Sequence, residues 1–135
     1  MNDQINEQVH ETARNVADSY RYIHTMTADT FEGKCAIIKA RNNALPLTGV
    51  ESSPFVLVGV QIAPGVRSRT GEKCANVYLF TKDDKAYFTQ STGIYRSVLE
   101  IYDMFPDFNA PAGIPVVVRS VQLNNGRTMK SLDIQ

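Results

Sequence analysis

The pattern of hydrophobic and polar positions changes period several times along this chain, and each change marks an element. From Asn76 to Lys82 it alternates strictly, sending Val77 and Leu79 to one side of a strand and Asn76, Tyr78, Phe80 and Lys82 to the other. Phe55 to Ile62 is almost continuously apolar between Pro54 and Pro64, which predicts a central strand buried on most of both faces. Strands at 74–82 and 85–90 meet at Asp83-Asp84 as a hairpin with a tight acidic turn. Ile94, Val98, Ile101 and Phe105 then repeat at helical spacing behind the capping hydroxyls of Ser91 and Thr92. Tyr95, Leu99, Tyr102 and Met104 widen that helix's apolar surface, Arg96 and Glu100 lie four apart on its solvent side, and Pro106 stops it. After a Pro-rich loop at 106–115, strands at 116–123 and 128–134 flank Asn124-Asn125-Gly126-Arg127, a hairpin signal because Asn and Gly both accept positive φ.

The first third is less regular. Ile5, Val9, Ala13, Val16, Ala17 and Tyr20 form a narrow helical stripe within the polar stretch 2–20, a pattern shared by a short amphipathic helix and an ill-ordered tail. Residues 22–26 and 35–41 read as strands around a turn at Phe31-Glu32-Gly33-Lys34, and 42–54 reads as a loop from its turn-residue content. The resulting order, strand, strand, strand hairpin, helix, strand, strand, is that of an OB-fold. The expected fold is therefore mainly β, a five-stranded Greek-key barrel with one helix between its third and fourth strands, the third being the bent unit 74–90. A mixed α+β sandwich accommodates the same strand-helix-strand passage. The 135 residues suit an acidic N-terminal segment, 1–20, followed by a single OB-like domain, 21–135.

Composition narrows the chemistry. No apolar run approaches the roughly 18 residues of a spanning helix, and no basic start followed by an apolar stretch marks a secretory signal, so a cytoplasmic protein without membrane contact is expected. Cys35 and Cys74 lack the close partners of a zinc site or redox pair and read as two reduced, buried thiols; His10 and His24 belong to no metal-binding constellation. Neither a metal nor a cofactor is expected. Leu45-Pro46-Leu47-Thr48-Gly49 matches the sortase sorting pattern without the hydrophobic span and basic tail that sorting needs, and reads as accidental. Gly59, Gly65 and Gly71 form no phosphate-binding motif. Asp83-Asp84, the only adjacent acid pair, is flanked by Lys82 and Lys85 and reads as a solvated turn, so no enzymatic constellation is present.

A formal net charge of zero hides an uneven distribution. Residues 1–32 hold six acids and two bases, residues 33–96 nine bases and four acids, and residues 97–135 three bases and four acids, giving −4, +5 and −1. A basic sheet that displays ring faces suits single-stranded nucleic acid, because phosphates seek cations and every base has a stackable face. The candidate site comprises Asn76, Tyr78, Phe80 and Lys82 on the alternating strand, with Tyr87 on the next strand as a third platform and Phe88, of opposite parity, as core. Arg67, Arg69 and Lys73 in the 63–73 loop, with Lys34, Lys39 and Arg41, would extend a phosphate track. The competing reading is that the N-terminal segment or a second subunit covers this face and makes Tyr78 and Phe80 core. The ammonium of Lys82 on the same face counts against that, since burying it would be costly.

Val77-Tyr78-Leu79-Phe80, the Asp83-Asp84-Lys85 turn, Tyr87-Phe88-Thr89-Gln90-Ser91, the helix from Ile94 to Phe105, Pro115-Val116-Val117-Val118 and the final hairpin together resemble the single-stranded DNA-binding proteins of small tailed bacteriophages. The resemblance spans roughly the last two-thirds of the chain and rests on pattern and order. It implies an OB-fold that coats single strands in phage DNA replication or recombination without base specificity, using Tyr78, Phe80, Lys82 and Tyr87 on the sheet and Arg67 and Arg69 in the loop. Many such proteins end in an acidic tail that recruits replication proteins, whereas this chain ends Met129-Lys130-Ser131-Leu132-Asp133-Ile134-Gln135. Recruitment through that end is not expected. The acidic N-terminal segment is an alternative recruiter or a competitor of DNA, against the plainer roles of packing helix or dimer contact. A homodimer or weak oligomer is expected. The rival function is a small structural, assembly or regulatory protein that uses the Tyr78 and Phe80 face for protein contact.

Overall fold

The alternating and continuous apolar segments become strands in the computed structural model, which describes residues 20–47, 50, 52–108 and 113–135. The helical stripe of 2–20 lies outside the described residues, Tyr20 excepted. In chain order the elements are α1 (Phe31–Asn42), β1 (Leu45–Pro46), β2 (Phe55–Val66), β3 (Lys73–Thr81), β4 (Ala86–Thr89), α2 (Thr92–Met104), β5 (Ile114–Gln122) and β6 (Thr128–Ile134). The strands form one curled half-barrel sheet in the order β1-β4-β3-β2-β5-β6. The fold is mainly β, as expected, but it has six strands instead of five, and α2 follows the fourth strand instead of the third.

The largest correction is at 31–41, where a turn and a strand were expected and a helix stands. Thr30 caps it, its hydroxyl accepting the Gly33 N–H at 3.0 Å, while Glu32 in the first turn and Lys39 and Arg41 in the last complement the helix dipole. A short apolar run such as Cys35 to Ile38 fits either element, and these end effects decide it. Residues 22–26 are extended without becoming a full strand. They form a strap along β2, in which Thr25 N–H donates to the Val60 carbonyl at 2.9 Å, Ile23 C=O accepts from Ile62 N–H at 2.7 Å, and His24 bridges Gln61.

β2 is central, as its sequence predicts. It pairs with β3 along most of its length, with a register shift between Leu57 and Gly59, and with β5 only through Phe55, Val56 and Leu57. Beyond the shift the strap takes over that edge. Gly59 permits the close approach, because a Cβ there would lie 2.3 Å from Met26 Sδ.

The core fills the inner face of the sheet. Leu57, Val60 and Ile62 of β2, Val77 and Leu79 of β3, Val116 and Val118 of β5 and Leu132 of β6 pack with Ile94, Val98 and Ile101 of α2. Full burial of such side chains contributes about 1.5–3 kcal/mol each. Ser91 caps α2 by accepting the Ile94 N–H at 3.3 Å, and the helix ends at Met104, just short of Pro106. It lies against β6 so closely that a Cβ on Gly93 would stand 1.9 Å from the Lys130 carbonyl oxygen, and Leu132 N–H donates to Ser97 Oγ at 3.0 Å. The free edge of β6 is thereby covered.

Smaller details also differ from expectation. The β5–β6 turn is closed by Leu123 N–H on the Arg127 carbonyl at 2.7 Å, and in it Gly126 alone takes positive φ, at 80°. This is a three-residue turn with a left-handed glycine, so the asparagines need no unusual backbone. Cys74 is buried as predicted, but Cys35 is exposed on α1. Arg96 and Glu100 are both exposed on α2, as expected, and make no ion pair with each other. Among the described residues no helix is long and apolar enough to cross a membrane.

Candidate nucleic-acid interface

The face of the sheet opposite the core is organised by the turn between β3 and β4. Thr81 N–H donates to the Lys85 carbonyl at 2.9 Å, Asp84 N–H returns to the Thr81 carbonyl at 3.3 Å, and Asp84 sits at φ 62°. The loop is thus three residues, Lys82, Asp83 and Asp84, not the two acids alone. Thr81, itself buried, donates its hydroxyl to the Asp83 carboxylate and accepts the Lys85 N–H at 3.2 Å. That hydroxyl, with help from the Lys85 charge, holds the Asp83 carboxyl below its ordinary range.

One extra loop residue moves the pairing by one position, and such a step exchanges the two faces of a strand. Tyr78 consequently pairs with Phe88, and Leu79 with Tyr87. Directly opposed residues share a face. Tyr87 therefore turns to the inner side, where it packs against the core and meets Phe55 with ring centroids 5.1 Å apart. Phe88 turns outward and meets Tyr78 at 5.2 Å. The expected roles of Tyr87 as platform and Phe88 as core are reversed.

Phe80 is corrected as well. It faces outward with Tyr78 and Ala86 but is only 2% exposed. It lies in a cleft of about 160 Å³ walled by Met26 of the strap and by Ala36, Ile37 and Ala40 of α1. No base can reach its ring. The outer face thus has a covered end at Phe80 and an open stretch at Asn76, Tyr78, Gln61 and Phe88, all of them half-buried.

Cations stand on both sides of that open stretch. Arg41, in the last turn of α1, reaches Gln61 Oε1 at 3.5 Å. From the other end Arg67 donates to the Gln90 carbonyl at 3.2 Å, and the Gln90 side-chain amide donates to Asn76 Oδ1 at 2.9 Å. Arg69 and Lys73 are exposed in and beside the β2–β3 loop. Lys34 and Lys39 are both exposed on α1, yet five residues apart on a helix they point to different sides. Lys39 alone of the two lines a groove of about 470 Å³ between α1 and the β3–β4 turn, together with Asp84 and Lys85. Lys82 is exposed in the turn, and its backbone N–H holds the Val56 carbonyl at 2.9 Å.

Among the described residues the ion pairs are Arg21–Asp103, Lys85–Asp83 and Arg119–Asp133. Lys34, Lys39, Arg41, Arg67, Arg69, Lys73 and Lys82 take part in none of them. Phe88, Gln61 and Gln90 belong to the open stretch and were missed by sequence reasoning; the turn length that exposes Phe88 was the available signal. No protein-family model, no curated protein and no solved structure matches this chain.

Proposed function

We propose that the chain binds single-stranded DNA without sequence specificity, through bases stacked on the Tyr78–Phe88 pair and phosphates held by the surrounding Lys and Arg side chains. The carrying observation is that half-exposed ring pair at 5.2 Å with Arg41 and Arg67 to either side, amid cations that have no acidic partner among the described residues. Stacking needs an accessible ring face, and phosphate neutralisation needs cations not already committed to carboxylates. The curled sheet is read as an OB-type barrel variant with an added short edge strand and leading helix, and the setting as phage DNA replication or recombination, following the family resemblance. Neither catalysis nor a metal enters this reading.

Anisotropy titration of labelled oligothymidine across a salt series tests it. Micromolar or tighter binding is expected, and five phosphate contacts would give a log-log salt slope of about −3.5. Tyr78→Ala and Phe88→Ala should each weaken binding by about 1–3 kcal/mol if each ring carries a base. Undiminished affinity in the double variant would remove the platform. A folded protein that ignores single strands altogether would favour the rival role in protein contact.

A further inference from the structure

The β5–β6 hairpin runs on beyond the core. Every residue from Arg119 to Met129 is exposed, although pairing continues through Arg119 with Ser131, Ser120 with Lys130, Val121 with Met129 and Gln122 with Thr128. A two-stranded ribbon is at best marginally stable in water. This one gathers its apolar side chains on a single face, since Val121 opposes Met129 and Leu123 lies two residues further along the same side.

At the other end of β6 lies a groove of about 460 Å³ between that strand and α2. Buried Ile101 and Leu132 form its floor, and Met104, 74% exposed, Phe105 and Ile134 form an apolar rim. Ser97, Glu100 and Asp133 also line it; Asp133 is paired with Arg119, whereas Glu100 has no ion-pair partner among the described residues, and neither has Arg127, at the tip of the arm. The arm has an apolar face with a cation at its tip, and the groove has an apolar floor and rim with the unpaired Glu100 in a partly polar wall. Within one chain the tip does not reach the groove's rim, because Arg127 stands seven residues of extended strand, about 23 Å, from Ile134.

We propose that the arm of a second copy occupies this groove, in a reciprocal two-fold exchange. Each arm lays Val121, Leu123 and Met129 on Met104, Phe105 and Ile134 of the other copy, and Arg127 meets Glu100. A two-fold axis across the middle of β6 brings tip to root in both directions, so one self-complementary contact covers these six of the exposed apolar residues and closes as a dimer. The proposal does not depend on nucleic-acid binding.

Sedimentation velocity of the full chain over a concentration series reads the outcome. The mass should rise from 15.0 kDa toward twice that value. Val121→Glu with Leu123→Glu should remain monomeric with an unchanged circular dichroism spectrum, as these two exposed positions lie on the arm beyond the core. Arg127→Glu and Glu100→Arg should each weaken association roughly tenfold, and combining them should restore it to within about threefold. A monomer persisting at about 100 µM would overturn the proposal, since even an interface with a dissociation constant of about 10 µM is mostly formed there. So would a dimer that survives the arm substitutions. A monomeric protein whose affinity for oligothymidine falls with those same substitutions would instead assign the arm to the nucleic acid.

Discussion

α1 and α2 have twelve and thirteen residues, yet α2 buries Gly93, Ile94, Val98 and Ile101 while α1 buries no residue at all. Their means of support are correspondingly different. α1 relies on local terms: the Thr30 cap and the dipole-complementing Glu32, Lys39 and Arg41, each of these charges contributing about 0.3–1 kcal/mol. α2 has no such charges in its first and last turns and is held by what it buries against the sheet. A helix as short as α1 is marginal in isolation. It persists by resting Ala36, Ile37 and Ala40 over Phe80, with Phe31 left 78% exposed on its far side. One helix closes the core and the other only shields one end of the outer face, which is why the Tyr78–Phe88 stretch beside it stays open.

The contrast is broken most forcefully by paired truncations. Ile94→Ala should cost about 2–5 kcal/mol in urea denaturation, whereas Ile38→Ala should fall within about 0.5 kcal/mol. Equal losses would mean that α1 is packed as firmly as α2. A finer test uses the caps. Ser91→Ala and Thr30→Ala should each weaken their own helix by about 0.5–2 kcal/mol. The first should lower global stability, while the second should appear as faster amide exchange confined to α1.

The smallest effect concerns the turn that α1 overlooks. Asp83 has its carboxyl pKa lowered from 3.8, first by the Thr81 hydroxyl, then by its own backbone N–H and by Lys85. Its contribution is therefore fully present above that unfolded value and is lost as pH falls further through the folded one. Thermal melts along an acid titration should show a shallower loss of stability for Asp83→Asn than for the native chain. Superimposable curves would mean that the contact contributes nothing.

What could be read from the chain follows the same division. α2 and β3 were legible because burial on one side imposes a period, and β2 because burial on most of both sides leaves an unbroken apolar run. α1 was not, since a helix that buries nothing leaves no stripe; its only written signals are Thr30 ahead of it and the charges at its ends. The parity of Tyr87 and Phe88 was hidden for another reason. Both are large and aromatic, so β4 shows no alternation, and its face depends on a left-handed Asp84 that lengthens the turn by one residue. Lys82 does not keep its neighbour exposed, because the turn already carries that ammonium into solvent and leaves Phe80 free to be covered. The cationic positions were easier, because long charged side chains remain in water wherever the backbone puts them.

β2 also has a consequence for how the molecule assembles. Its pairing with β3 closes over a short loop, but its other edge is shared between the strap at 23–25 and β5 at 114–116, which arrive from opposite directions along the chain. Closing those two long loops costs entropy before either contact repays it, so the β2–β3–β4 meander should act as a template that forms early and waits for both flanks. Folding speed would then be governed less by the strength of the core than by the search of two distant segments for a single shared margin.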